Sequence, residues 1–210
     1  MGTKERRARE KEELRGKILD AARELFVERG YEAVTMRQIA EAIEYSPTAI
    51  YLHFEDKLAL VRSLCDRDFS ALGKRFQKIA AIADPFERLR RSGQAYAEFA
   101  LRNPQQYRYM FLTPHPPIDP AESGIDRDNP REDAYAFLRW TVAEAIAAGR
   151  LRPELDDPEL VSQIVWAGVH GIVSLRITNN SDKWVAWRSE KKTVEAMIET
   201  LLRGLAREGS

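Results

Sequence analysis

The sequence predicts an all-α fold of about nine helices. Three observations carry that prediction. Apolar residues recur every three to four positions in each long segment, and period-two alternation is weak throughout. Asp-Pro or Asn-Pro pairs also stand before several amphipathic runs, where the first residue can cap a helix and the proline can open it.

Taken in order, "KILDAARELFVERG" sets Ile18, Ala22, Leu25 and Phe26 on one face and stops at Gly30, which predicts a helix over residues 13–30. Thr35 is the expected N-cap of a short helix over 36–43, with Met36, Ile39, Ala40 and Ile43 facing inward. Pro47 suits the first turn of a third helix, over 47–53, because its missing N–H would have no intrahelical partner there. A further start falls at Glu55-Asp56. Asp84-Pro85, Asn103-Pro104, Asn129-Pro130 and Asp157-Pro158 each read as cap plus first helical residue. The last helix is expected in "EKKTVEAMIETLLRGLARE". Between Thr113 and Asn129 lies a Pro-rich polar loop, and a loop of that length is either mobile or functional.

The composition narrows the function classes. The chain has 210 residues, 44% of them hydrophobic and 31% charged, enough for a real core and a polar surface. The formal net charge is +0, so any nucleic-acid binding must come from local features. The single Cys65 rules out a disulfide within the chain, argues against a Cys-based zinc site and fits a reducing cytosol. The charged start "MGTKERRAREKEELRGK" has no apolar core of a secretory signal. Residues 160–175 carry no formal charge, but the stretch is shorter than the roughly 18–20 residues of a spanning helix. It also holds Ser162, Gln163, His170 and Ser174, so it reads as a helix buried in protein or at a subunit interface. The expectation is a cytoplasmic protein with no membrane partner.

Residues 13–53 form three helices, the second and third joined only by Glu44-Tyr45-Ser46. That is helix-turn-helix spacing, in which the second helix of the pair is free to enter a DNA major groove. Ile43, Ile50 and Phe54 are expected to pack. Thr48 and Ala49 sit on the first turn of the recognition helix, with Tyr45, Ser46 and Pro47 at its start. Tyr51 and His53 are candidate phosphate donors, Leu52 is a candidate thymine-methyl contact, and Lys57 adds a charge. Thr35 offers a helix N-terminus to a phosphate. The recognition helix has no Arg or Lys, so Arg37 on the preceding helix is the nearest guanine reader. Residues 4–17 carry seven basic against four acidic side chains, and either follow DNA or form a solvated helix extension.

From Arg15 to Leu64, the segments "ILDAARELFVERGY", "TMRQIAEAI" and "IYLHFEDKLAL" resemble, in order and spacing, the DNA-binding domain of TetR-type transcriptional regulators. The resemblance implies an all-helical homodimer that in most members represses transcription. It also implies that a ligand in the C-terminal domain shifts the fourth helix and changes the separation of the recognition helices. Three departures stand out: Glu44 where the family usually has Gly, Tyr45 where it often has Val, and Leu52 at a position often polar or aromatic. A non-Gly residue held left-handed at position 44 would cost roughly 1–2 kcal/mol. The domains are set at 12–64 for DNA binding and 65–210 for effector binding and dimerisation.

The C-terminal half has no nucleotide loop, no metal-ligand spacing and no nucleophile motif, so neither catalysis, cofactor nor metal is assigned. It is rich in aromatics, most of them expected in the core. Candidate effector contacts are Phe69, Tyr96, Phe99, Tyr107, Phe111, Phe137, Trp140, Gln163, Trp166 and His170. "WAGVHGIVSL" resembles the Trp-His-Gly segment of one TetR-type subgroup. The last two long helices, 158–179 and 189–207, are the expected homodimer surface, where two copies make a four-helix bundle. A two-fold dimer would address a palindromic operator in double-stranded DNA. Two other readings stay open: a dimeric DNA-bound scaffold with no small-molecule effector, and a helical-bundle enzyme with an accessory DNA domain.

Overall fold

The computed structural model describes residues Gly2–Arg207. Among the described residues there are nine α-helices and one 3-10 turn: α1 Thr3–Arg29, α2 Met36–Ala42, α3 Pro47–Tyr51, α4 Lys57–Gln77, α5 Pro85–Arg102, α6 Pro104–Phe111, the 3-10 turn Pro120–Glu122, α7 Ala134–Ala147, α8 Pro158–Asn179 and α9 Glu190–Leu205. The only β-type pairing among them is an isolated bridge between Leu151 and Ala206.

The caps explain most of the starts. Gln38 N donates to Thr35 Oγ1 (3.2 Å) and Thr35 N donates to Gln38 Oε1 (2.8 Å), closing a capping box on α2. Asp84 Oδ1 accepts from the amides of Phe86 and Glu87, and Asp157 Oδ1 from those of Glu159 and Leu160. Two expected caps act differently. The Asn103 side chain donates to Phe99 O and so closes α5 instead of opening α6. Asn129 Oδ1 accepts from Arg131 N in a turn, and α7 begins later, capped by Asp133. That turn is pinned against α4: Gln77 Nε2 donates to Pro130 O at 2.8 Å, and a Cβ at Gly73 would lie 2.7 Å from Glu132 O. Its backbone is committed to that contact and cannot wind into a helix there.

α1 starts ten residues earlier than apolar periodicity predicts, at Thr3. The added turns are built from good helix formers laced by Arg6–Glu10 and Arg9–Glu13 pairs at i,i+4.

The chain divides into two compact units. The first comprises residues up to Asp68 and the segment Gln105–Gly124. Its core is Ile18, Ala22 and Phe26 from α1, Ile39 and Ala40 from α2, Ile50 from α3 and Leu60, Val61 and Leu64 from α4, all fully buried. A single cut after residue 64 therefore does not describe this unit, because α6 returns to it. Tyr107 and Tyr109 are fully buried there, and Tyr109 stacks on Phe26 at 5.8 Å. Small helical units are short of apolar surface to bury, and two rings from a distant segment supply it. Arg23 grips the buried Asp68 with two hydrogen bonds of 2.9 and 2.7 Å, and Gln106 Nε2 adds a third at 3.1 Å. The first part of the Pro-rich loop is tied to α4: Arg62 pairs with Glu122, and Ser123 Oγ and Gly124 N donate to Asp66.

The second unit comprises Phe69–Pro104 and Ile125 onward. Here α5, α7, α8 and α9 pack together. Glycines set two close approaches: a Cβ at Gly93 would meet Ile198 Cδ1 at 3.1 Å, and one at Gly168 would meet Leu201 Cδ1 at 2.7 Å. Arg88 is buried with its guanidinium 4.0 Å from the Trp140 ring centre, donating to Thr141 Oγ1, Ile82 O and Glu144. By length and composition α8 could cross a membrane, with 33% of its apolar window buried. Its Val161, Val165, Val169 and Val173 face is nonetheless packed inside the unit.

Candidate nucleic-acid interface

The α2–α3 turn is built by a Schellman arrangement. Tyr45 N donates to Ala40 O at 2.9 Å and Glu44 N to Glu41 O at 3.1 Å, which satisfies the last carbonyls of α2. The arrangement requires a left-handed residue after the cap, and Glu44 has φ 60°, the one positive φ outside glycine among the described residues. Ser46 then caps α3, its Oγ accepting from Ala49 N at 3.3 Å, and Pro47 opens the helix.

α3 has five residues. Ile50 and, just beyond it, Phe54 are buried and anchor it. Tyr45, Ser46, Pro47, Thr48, Tyr51 and Leu52 are exposed, with Leu52 at 76%, and Ala49 is half-buried. Thr48, Tyr51 and Leu52 are three and four residues apart, so they share one outer face. Thr35 and Arg37 are exposed at the start of α2, and Arg37 Nε donates to Glu41 at 2.9 Å.

The remaining predicted residues stand apart from this face. Lys57 Nζ donates to Tyr31 O and Val34 O, both at 2.9 Å, and lies 3.9 Å from the Tyr31 ring centre. Its ammonium closes the α1–α2 connection instead of facing outward. His53 is half-buried, with Nδ1 enclosed and lacking a hydrogen-bond partner. Burial, then Lys11 and Arg15, hold its pKa below the ordinary histidine value. Arg15 also turns inward, donating to His53 O at 3.3 Å and to Ser63 Oγ at 2.9 Å. No sequence signal separates it from the other basic residues of the segment, which are exposed between Lys4 and Lys11.

The effector candidates divide between the units. Tyr107 and Phe111 belong to the first, with rings 5.1 Å apart. In the second, Phe99 and Phe137 are core residues, Trp140 covers Arg88, and Phe69 is half-buried. Tyr96, Trp166 and His170 converge. Trp166 Nε1 donates to Tyr96 Oη at 3.2 Å, and Tyr96 Oη lies 3.0 Å from His170 Nδ1. An indole N–H can only donate, so Tyr96 Oη accepts from Trp166, and the same hydroxyl shares a hydrogen bond with His170 Nδ1. Burial lowers the His170 pKa and so favours the neutral imidazole. Gln163 is exposed one turn away and donates to Glu159, which also accepts from Tyr135. Among the described residues no group of three His, Cys, Asp or Glu side chains could hold a metal ion.

Comparison with known proteins bears on the family and the fold. Residues 18–64 match the family described as bacterial regulatory proteins, tetR family, and residues 89–201 match the tetracyclin repressor-like C-terminal domain. The chain is similar to the HTH-type transcriptional activator FasR of Mycolicibacterium smegmatis, 37% identical over 103 residues that cover 48% of this chain and 47% of that protein. It is also similar to the HTH-type transcriptional repressor KstR of Mycobacterium tuberculosis, 29% identical over 60% of this chain and 65% of that protein. The match thus spans about half to two thirds of these relatives' lengths. Among solved structures, the TetR family transcriptional regulator PfmR from Thermus thermophilus superposes with a TM-score of 0.70 at 26% identity, covering 90% of this chain and 99% of that one. The C-terminal match alone takes in more than half of the chain, the N-terminal match covers the helix-turn-helix, and the protein belongs to the TetR family of bacterial regulatory proteins.

Proposed function

We propose that the protein is a dimeric DNA-binding transcriptional repressor, cytoplasmic, that occupies a palindromic operator and is released by a small-molecule effector. The observation that carries this reading is α3, whose capped and exposed N-terminal half follows a tight turn from α2. Thr48 and Ala49 would meet base edges, Tyr51 a phosphate and Leu52 a thymine methyl. With no basic side chain on α3, direct guanine readout falls to Arg37, and DNA shape supplies the rest. Two-fold pairing through α8 and α9 would set two recognition helices about 34–36 Å apart, or a multiple of that. Exposed Leu160, Ile164 and Leu175 lie on α8 at helical spacing and support that pairing.

Release follows from linkage: an effector that favours the DNA-incompetent spacing weakens DNA binding by the factor by which DNA weakens effector binding. The Tyr96–Trp166–His170 cluster, an apolar setting with a few polar groups, is the proposed effector contact. The proposed roles are DNA reading for residues 12–64 and effector and partner binding for residues 65–210, except that Gln105–Gly124 packs in the DNA-reading unit. The test is selection of bound sequences from random DNA by the purified chain, repeated with a metabolite library. No enriched palindrome would sink the proposal, and enrichment that no metabolite reverses would favour the scaffold reading.

A further inference from the structure

We propose that Arg15 sets the pose of the recognition helix, as a positioning residue that acts through α3 and does not itself touch DNA. The inference rests on reading α3 as the DNA-contacting helix. A helix of five residues has no stability of its own, so its angle must come from tertiary contacts. Its apolar anchors, Ile50 and Phe54, hold it in place but give little direction, because apolar burial is non-directional.

Arg15 supplies the direction. It reaches from α1 with three contacts on one planar group. Nη1 donates to His53 O, at the carbonyl end of the α3 turn, at 3.3 Å. Nη2 donates to Ser63 Oγ on α4 at 2.9 Å. The guanidinium carbon sits 4.4 Å from the centre of the Phe54 ring. A cation near a helix's C-terminal carbonyls is favoured by their partial negative charge, and the rigid guanidinium fork fixes geometry where a flexible ammonium does not. The other basic residues from Lys4 to Lys11 are exposed, whereas Arg15 is half-buried with both terminal nitrogens occupied. Its charge is thus spent on joining α1, the end of α3 and α4.

The test uses the full chain with Arg15→Lys, which keeps the charge and loses the fork, and Ser63→Ala, which removes one partner. Two readouts apply: hydrogen exchange at the amides of residues 50–54 in the free protein, and affinity for the selected operator and for a random duplex across a salt series. For R15K the expected result is faster exchange at 52–54 and about a tenfold loss on the operator, the scale of one charged hydrogen bond. Random-duplex affinity and the salt slope should stay as in wild type. S63A should move the same way by less. Wild-type exchange and a wild-type operator-to-random ratio in both variants would overturn the proposal. So would near-normal binding by R15K together with a uniform loss in Arg15→Gln and a salt slope lower by about one, the signature of a phosphate contact. Should R15K not fold, S63A decides alone. Faster exchange in a chain that enriches no DNA sequence would support the clamp while removing the DNA reading, so the two failures are distinguishable.

Discussion

Glu44 is held left-handed because the turn needs it, not because glutamate favours it. Ala40 and Glu41 can be closed by the amides of Tyr45 and Glu44 only if the residue after the cap has positive φ. Glu44→Gly should therefore stabilise the chain by about 1 kcal/mol, part of the strain being offset by the freedom glycine has when unfolded. A urea midpoint that stays put or falls would show that the glutamate side chain compensates. His170 gives a second residue-level expectation. Its folded pKa lies below the ordinary 6.5, so between the two values the unfolded chain binds the proton and the folded chain does not. Stability is full above 6.5 and declines as pH falls from there towards the folded pKa. His53 is shifted the same way, so the informative quantity is a difference. His170→Gln should lessen the loss of stability on going from neutral to mildly acidic pH, and an unchanged pH profile would contradict the neutral, Tyr96-bonded imidazole.

At the scale of elements, the N-terminal part of α1 is the clearest case of two readings meeting one helix. Residues 4–13 are exposed and helical, with two i,i+4 ion pairs. Exposed pairs of that kind add about 0.3–0.5 kcal/mol each, so they support the helix without consuming its charge. Removing residues 2–12 should weaken DNA binding and flatten its salt dependence while barely moving the thermal midpoint. An identical salt slope in the truncated chain would leave this segment as a solvated extension. α3 is the opposite case: it adds little helix of its own and depends on its cap, on Ile50 and Phe54, and on Arg15.

For the whole molecule, the proposed two-fold surface is α8 with α9. The buried valine face of α8 is used within its own unit, while Leu160, Ile164 and Leu175 remain exposed on the same helix. An apolar stripe left open beside a packed one is suited to a second copy. Ile164→Glu with Leu175→Glu should convert a dimer to a monomer in sedimentation. Operator affinity should then fall by about a hundredfold or more, since each recognition helix would bind without its linked twin. A dimer that survives both charges would place the two-fold elsewhere.

What the sequence alone determined is local. Thr35, Ser46, Asp84 and Asp157 act within three residues of themselves, and the 3.6-residue period of α1, α5 and α9 is written in the positions of their apolar side chains. The departure at Glu44 was legible too, because the family resemblance marks that position as one usually held by glycine. Tertiary structure decided what depends on reach. Lys57 and Arg15 have long side chains whose heads lie far from their own backbones, and only packing shows that both turn inward to carbonyls. Asn129 lost its cap to a turn pressed on Gly73, and Tyr107 and Tyr109 left the C-terminal half of the sequence to fill the core of the N-terminal unit. The physical reason is common to all five residues. Capping and periodicity are short-range and fixed by neighbours in sequence, whereas a buried ring or a guanidinium takes whichever partner the folded chain brings near.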